Sequence, residues 1–500
     1  MVWSSAALTA AQDPAARNLL QQAIDAQDGQ DRLRAVKNIQ WEAAGYRNEL
    51  EQSERPKGPY IVEFDSVSEV HDIAGKRFRR IVDATVYPGP TFSSGLVVSE
   101  GVAMAIVRKA SAPSSAEQVK VASEREAISP ERLLLTAFDA SDLQLQPDVV
   151  LQSVPQSVVR FTLDGGPVTV YLNSYTKLPT AVDYSGPLAR SGYWRSLGDV
   201  TTRTYFSLWW LAKGGIHLPL QWNIETNGLP DQMMVIKKLQ IDEPLAESDL
   251  TIPADIAAKF RPNAPAFDMN SLPLGNPKNP ATELAPGIVF IPGAWNTTIV
   301  NQDDGLVILE APISSGYTAK VIEEARRRYP NKPIKAVITT SDSWPHVAGI
   351  RECVAKGIEI YALDLNRAVI ERVVAAPYKS KPDALEKSSR KVSLRLVHGK
   401  TILGTGDNRI EIYPIRGETS ERQMMVYFPE RKLLYGSDPF QPDQNGGLYF
   451  PQTVSELTDD VAREHLVIDQ FFMMQVDLNP WTRLAAAIEK AAKQDTPDGK

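Results

Sequence analysis

Between Thr251 and Ala285 six prolines, Pro253, Pro262, Pro265, Pro273, Pro277 and Pro280, interrupt every periodic pattern, and asparagine and glycine fill the gaps. Proline locks φ and carries no N–H, so neither a helix nor a sheet ladder runs through such a stretch. The chain must therefore build its cores separately on either side of an extended linker, 251–286. Its 500 residues ask for the same, being more than one ordinary core organises. The expected order is a domain over 13–250, the linker, a second domain over 287–492 and a polar tail, 493–500.

Before the linker, Asp13-Pro14 supplies an N-cap and first helical position, and Leu19, Leu20, Ala23 and Ile24 recur at helical spacing. Gly29 ends that helix, and a short second one is expected over 30–36. From Ile39 to about Leu245 the pattern is mostly strands. Residues 158–163 and 168–172 flank the turn Asp164-Gly165-Gly166-Pro167, and 221–226 and 232–236 flank Asn227-Gly228-Leu229-Pro230. Ser129-Pro130-Glu131 opens a helix through Leu133, Leu134 and Phe138. Helices followed by a long antiparallel meander describe a sheet wrapped around apolar contents, with Trp209-Trp210 expected to pack inside. Two segments, L-L-Q-Q-A-I-D-A-Q-D-G-Q-D-R-L-R-A-V-K (19–37) and G-D-V-T-T-R-T-Y (198–205), resemble exported proteins with the half-barrel fold of lipoprotein carriers. That resemblance implies room for an acyl chain or another small molecule. The plainer alternative is a domain that shields the second one.

After the linker, strands and helices alternate. Residues 288–291, 297–300 and 306–309 read as strands, with Asp303-Asp304-Gly305 as a hairpin turn. An amphipathic helix over 318–329 turns Val321, Ile322, Ala325 and Tyr329 inward. Strand, loop and helix follow over 334–356, then a strand at 358–362 and a helix at 366–375. Strands return at 409–415, 424–428 and 432–435, and a last helix spans 481–492. Within this pattern 338–349 reads I-T-T-S-D-S-W-P-H-V-A-G, a strand-to-helix loop of the kind that carries chemistry. It resembles the main metal-binding loop of the metallo-beta-lactamase fold, whose family form is T-H-x-H-x-D-H-x-G-G. Thr340 stands at the leading threonine, His346 at the final histidine and Gly349 at the closing glycine. The order of elements from G-I-V-F-I-P-G-A-W-N-T-T to N-P-W-T-R-L is similar to the same family. The fold class so implied is α+β: a C-terminal four-layer αββα metallo-beta-lactamase-like sandwich, preceded by an N-terminal, mostly antiparallel β (half-barrel) domain with short helices.

The resemblance also implies one or two zinc ions, which lower the pKa of bound water to about 7. Most of the ligands are missing. Ser341 and Ser343 stand at two histidine positions and Pro345 at the aspartate. No histidine occurs between His398 and His465, so the ligand expected near 418–420 is absent, and Gln475 takes the place of the last one. His346 and Asp438, which matches the bridging aspartate, remain, with Asp342, Glu418 and Glu421 as oxygen groups in the vicinity. A stable zinc site needs three or four ligands, so no cofactor is expected; a single weakly held divalent metal at His346 and Asp438 stays open. Ser341 or Ser343, His346 and Asp438 are also the ingredients of a nucleophile, a base and an orienter, the candidate catalytic set. The plainer reading has both serines capping the next helix or bonding to the loop. Asp342, Trp344, Glu418, Ser420 and Gln475 are the candidate ligand-binding side chains. Both His346 and Asp438 are expected on cleft loops, where alanine would leave the fold intact.

Composition narrows the remaining classes. A net charge of −7 gives no electrostatic reason for a nucleic-acid partner. No apolar run approaches the ~20 residues that cross a bilayer. One cysteine, Cys353, excludes intramolecular disulfides and a thiolate zinc site, and reads as a small buried hydrophobe. His71, His217, His398 and His465 are isolated in sequence. The phosphate-cradling and dinucleotide fingerprints are absent. Residues 1–12 lack a basic start but resemble the tail of an export signal, so a periplasmic or secreted location is expected, with a cytoplasmic one as the alternative. The functional expectation is a metallo-beta-lactamase-fold protein with a degenerate zinc site that binds a small molecule, acyl ligand or partner in the former cleft. A divergent hydrolase of an ester, lactone or amide, and an interaction scaffold with a filled pocket, are the alternatives. Oligomeric state is left open.

Overall fold

The computed structural model describes residues 12–50, 57–86, 91–187, 198–265, 268–388, 390–442, 448 and 450–493. Nearly all of the export segment and of the polar tail named above lies outside the described residues. The chain separates into two compact units. The first takes in 12–265 apart from residues 50, 57–61, 198 and 199, which group with the second, 268–493.

In the first unit, helix Pro14–Ala26 starts where Asp13 accepts the Ala15 N–H at 2.8 Å, with Pro14 in the first turn where its missing N–H costs nothing. Gly29, at φ +95°, turns the chain into helix Gln30–Ala35. Among the described residues most of the remainder is one thirteen-stranded antiparallel sheet, with further short helices between and after its strands. Its first strand, Asn38–Asn48, pairs with its last, Leu229–Ile241, so the meander runs outward from the middle along one arm and returns along the other. Alternate residues Ile39, Trp41 and Ala43 face a core shared with Leu20 and Ile24 of the first helix and Leu133–Phe138 of another. Trp41 meets Trp222 edge-on at 5.1 Å. The sheet's apolar face is thus covered by the chain's own helices. Trp210 departs from expectation: it is 62% exposed, while Trp209 packs partly against the core.

Helix Leu133–Asp139 begins later than the Ser129-Pro130-Glu131 pattern predicts, because those residues are otherwise engaged. The Ser129 hydroxyl donates to the Glu126 carbonyl at 2.6 Å, and Glu131 Oε1 lies 2.7 Å from His71 Nδ1. His71 Nε2 meets Glu69 at 2.7 Å, and Glu69 also accepts from Arg80 and, at 2.8 Å, from Arg125. Burial disfavours the His71 charge, but hydrogen bonds to Glu131 and Glu69 outweigh it and hold the ring up to about 10. A histidine isolated in sequence is therefore the centre of a buried ionic cluster.

The second unit has two sheets. The first carries Thr282–Ala285, Ile288–Ile291, Thr297–Gln302, Gly305–Leu309, Ile334–Thr339, Glu359–Leu363 and Leu394–Val397 in that spatial order. Its last three pairings are parallel, as crossover helices Ser315–Arg328, Ile350–Lys356 and Arg367–Ala375 require. The other sheet carries Thr401–Leu403, Ile410–Pro414, Met424–Phe428, Leu433–Tyr435, Gln470–Met473 and Val476–Pro480. Phe290, Val307 and Ile338 of the first share one core with Ile412, Val426 and Phe472 of the second. The opposite face of the first sheet packs on helix residues Val321, Ile322 and Ile350, and that of the second on Val454, Leu457 and Leu484. Strands buried on both faces explain why G-L-V-I-L and M-M-V-Y-F are apolar without alternation. Phe471, Phe472, Met473 and Met474 are all buried in the core, as is Cys353, whose thiol burial pushes up to about 12.

The proline-rich stretch does more than link. Thr282–Ala285 is an edge strand on Ile288–Ile291, so the sheet begins before Gly287. Asn270 caps helix Ser315–Arg328 by accepting the Gly316 N–H at 2.8 Å. Among the described residues no helix is long and apolar enough to cross a membrane.

Candidate functional site

Four segments of the second unit converge on His346. Strand Gly305–Leu309 ends at Glu310, strand Ile334–Thr339 runs into Thr340, the helical turn Trp344–Val347 carries His346, and strand Leu433–Tyr435 leads to Ser437 and Asp438. Backbone hydrogen bonds lock them together: Glu310 N–H to Ile338 O at 2.9 Å, Ala311 N–H to His346 O at 3.1 Å and Met474 N–H to Ser437 O at 2.9 Å. Glu310 and Ser437 have φ of +73° and +66°, the left-handed region that costs a side-chain-bearing residue ~1 kcal/mol or more. Such strain persists only where the surrounding contacts hold it.

Those contacts are polar and buried. Glu310 Oε1 accepts from the Thr340 hydroxyl and, at 2.8 Å, from the Tyr435 hydroxyl; Oε2 accepts the Thr340 N–H at 3.3 Å. The Thr340 hydroxyl also lies 2.8 Å from that of Ser437. Glu310 Oε2 sits 3.0 Å from His346 Nδ1, and Asp438 Oδ2 sits 3.3 Å from Nε2. Neither approach meets the alignment of a hydrogen bond, so both are ion-pair contacts. Burial works against a charged ring, but the Glu310 and Asp438 carboxylates outweigh it and push His346 up to about 10. Burial, with Glu310 adding to it, drives the Tyr435 hydroxyl well above its ordinary value, so it stays a donor.

Trp344, in the same helical turn as His346, is buried and edge-on to Trp295 at 4.7 Å. Ser341 is buried and its hydroxyl accepts the Ser343 N–H at 3.2 Å, a turn-closing bond within the loop. Ser343 precedes the helical turn without a side-chain cap bond. Burial pushes the half-buried Asp342 carboxyl up to about 7 against the pull of Arg422 and His346. The structure thus gathers Ser341, Asp342, Ser343, Trp344, His346 and Asp438, but not in the hydroxyl–imidazole–carboxylate order. Both nitrogens of His346 face carboxylates. Nor does His346 lie on an open cleft loop, as expected from sequence: it has no exposed surface.

The other candidates sit elsewhere. Ser420 is committed to Glu456 of helix Pro451–Arg463, through its N–H at 2.8 Å and its hydroxyl at 2.5 Å. Glu421 pairs with Arg422 at 3.3 Å. Glu418 and Gln475 are exposed. Sequence reasoning missed Glu310, Tyr435 and Ser437. One trace was available: Glu310 is a lone charge closing the apolar run 306–309.

A zinc ion of the kind the loop implies does not fit these residues. His346 is the single histidine of the loop, and both of its ring nitrogens already face carboxyl groups, Glu310 at 3.0 Å and Asp438 at 3.3 Å. Ser341 is tied within its loop, and Glu310 is consumed by two hydroxyls and an N–H. Among the described residues no three His, Cys, Asp or Glu side chains are arranged to hold a metal ion.

Gly349 is required for space. A Cβ there would lie 1.9 Å from Thr318 Oγ1 and 2.9 Å from the Ser314 carbonyl, both of the facing helix end. Gly349→Ala is expected to cost about 2–3 kcal/mol by overpacking, read as a lowered thermal midpoint. An unchanged midpoint would show that the facing helix moves aside freely.

No protein-family model matches the chain, and no curated protein does. Similar solved structures exist. The sec-alkylsulfatase Pisa1 from Pseudomonas sp. is 14% identical, with 43% of this chain and 41% of that one aligned at a TM-score of 0.33. This chain therefore spans less than half of the sulfatase's length. The DIM-1 metallo-beta-lactamase is 14% identical over 42% of this chain and 96% of its own, at a TM-score of 0.34. A metallo-beta-lactamase from Hirschia baltica is 18% identical over 43% and 98%, at 0.32. The solved structures similar to part of this chain thus include metallo-beta-lactamases and an alkylsulfatase.

Proposed function

We propose that this chain is a zinc-free binding protein. Its second unit is an αββα sandwich of the metallo-beta-lactamase type that serves as a scaffold around a closed former metal site. The two sheets sharing one core, with helices on their outer faces, support the layering. The observation that carries the functional reading is His346, fully buried with Glu310 3.0 Å from one ring nitrogen and Asp438 3.3 Å from the other. A general base needs a ring nitrogen beside its nucleophile, and a zinc site needs three or four ligands. Both nitrogens of His346 face carboxyl groups, and no three candidate ligands are grouped among the described residues, which argues against serine hydrolysis as well as zinc hydrolysis. The first unit is read as a carrier-like sheet, and the small-residue run at 1–12 supports an exported protein.

The test is elemental analysis of the purified chain after dialysis against zinc or manganese, with ester, lactone and amide hydrolysis assayed in parallel. Metal well below one equivalent and hydrolysis at the buffer background are expected. One equivalent of tightly held metal with turnover that a chelator abolishes would overturn the reading.

A further inference from the structure

We propose that the first unit holds a site for a small organic cation, an amine or quaternary ammonium on a compact body, in the cavity over strands Asn38–Asn48, Leu229–Ile241, Ile216–Thr226 and Asp199–Ala212. It stands on residues of the first unit alone and does not depend on the reading of the His346 site.

The cavity measures about 400 Å³, within the range of small-ligand sites. Strand register builds its floor. Tyr46 lies opposite Met233, Met233 opposite Asn223, and Asn223 opposite Tyr205, one rung across four neighbouring strands. Cross-strand partners project to the same face, so two phenol rings bracket a thioether and an amide. Glu225 and Asp231 add carboxylates, and among the described residues no lysine or arginine lines the cavity. A phosphate, sulfate or fatty carboxylate would meet negative charge, the neighbouring Arg47 and Arg203 being already paired with carboxylates. A bare acyl chain would remove water from the Glu225 and Asp231 carboxyl groups and offer them no charge in return. An ammonium group answers both features, the carboxylates by charge and the ring faces by cation–π attraction.

The charge excess continues behind the wall. Gln232, itself part of the lining, donates to Asp65 Oδ2 at 2.5 Å, while Asp65 Oδ1 is buried with no partner. Burial, with Asp65 adding to it, pushes the Asp231 carboxyl up against the Thr226 hydroxyl and Arg47. Burial likewise lifts Glu63 to about 7, opposed by Arg47 and reinforced by Asp65. Arg47 is already shared, 3.3 Å from Glu63 and 3.4 Å from Asp65. Arg203, 5.8 Å from the Tyr205 ring, is held by two bonds to Asp183 at 2.6 and 2.7 Å. A cation entering the cavity would relieve repulsion that these two arginines leave in place.

The experiment is titration calorimetry of the full chain with choline and putrescine, with glucose as a neutral probe and laurate as an anionic apolar one. Saturable binding of an ammonium probe is expected, weakened ~10-fold or more in both Glu225→Gln and Asp231→Asn, as loss of a charge partner requires. Glu42→Gln, whose carboxylate pairs with Lys238 at the surface 2.9 Å away, should bind as the parent does. Circular dichroism reports folding of each variant. Absence of binding by both ammonium probes, binding of glucose or laurate alone, or ammonium binding that Glu225→Gln leaves unchanged would overturn the proposal.

Discussion

Alanine at His346 is expected to destabilise the second unit by about 3–5 kcal/mol, the cost of leaving buried charge without its partner. Two carboxylates lose their counter-ion at once: Glu310, fully buried, and Asp438, 9% exposed. The imidazole volume is lost as well. Urea unfolding followed by tryptophan fluorescence reads this directly, because Trp344 and Trp295 lie edge-on beside the site. Removing the charge on both sides should recover part of the loss, so His346→Ala combined with Glu310→Gln is expected to be more stable than His346→Ala alone. A single variant within about 0.5 kcal/mol of the parent would mean that water reaches the carboxylates. The site would then be an open cleft, as the loop sequence suggests, and His346 would regain a role toward ligands.

The second large effect is alkaline. His346 and His71 are both raised to about 10 by flanking carboxylates, against an ordinary value of about 6.5. A group whose pKa is raised on folding binds its proton more tightly in the folded chain. Its contribution is therefore complete below about pH 6.5, declines above it, and is gone once pH exceeds about 10. At about 1.4 kcal/mol per unit, each histidine supplies on the order of 5 kcal/mol at the acid end of that window. The unfolding midpoint should fall steadily from about pH 6 to about pH 10, and His346→Ala should flatten part of that fall. A midpoint constant across the window would show that neither ring carries a proton in the folded protein.

The two histidines also mark the division between what a sequence states and what a fold decides. Apolar runs such as 288–291, 306–309 and 424–428 specify strands buried on both faces, because the pattern that specifies them is local. Asp13-Pro14 states a helix start for the same reason, and so do the turns at Asp164-Gly165 and Asn227-Gly228. Thr340, His346, Gly349 and Asp438 were legible as candidates because one loop and one strand end carry them. The chemistry of the site was not legible, since Glu310 lies 30 residues from Thr340 and 125 from Tyr435. His71 and Glu131 stand 60 residues apart. The ionisation of a buried imidazole depends on which carboxylates face it in the absence of water, and only the packed sheets bring them there. The sequence by itself determined where the elements form and which side chains one loop presents. The tertiary structure decided that His346 is buried between Glu310 and Asp438 and holds its proton more tightly than a free ring, because a buried charge takes its state from its neighbours in space.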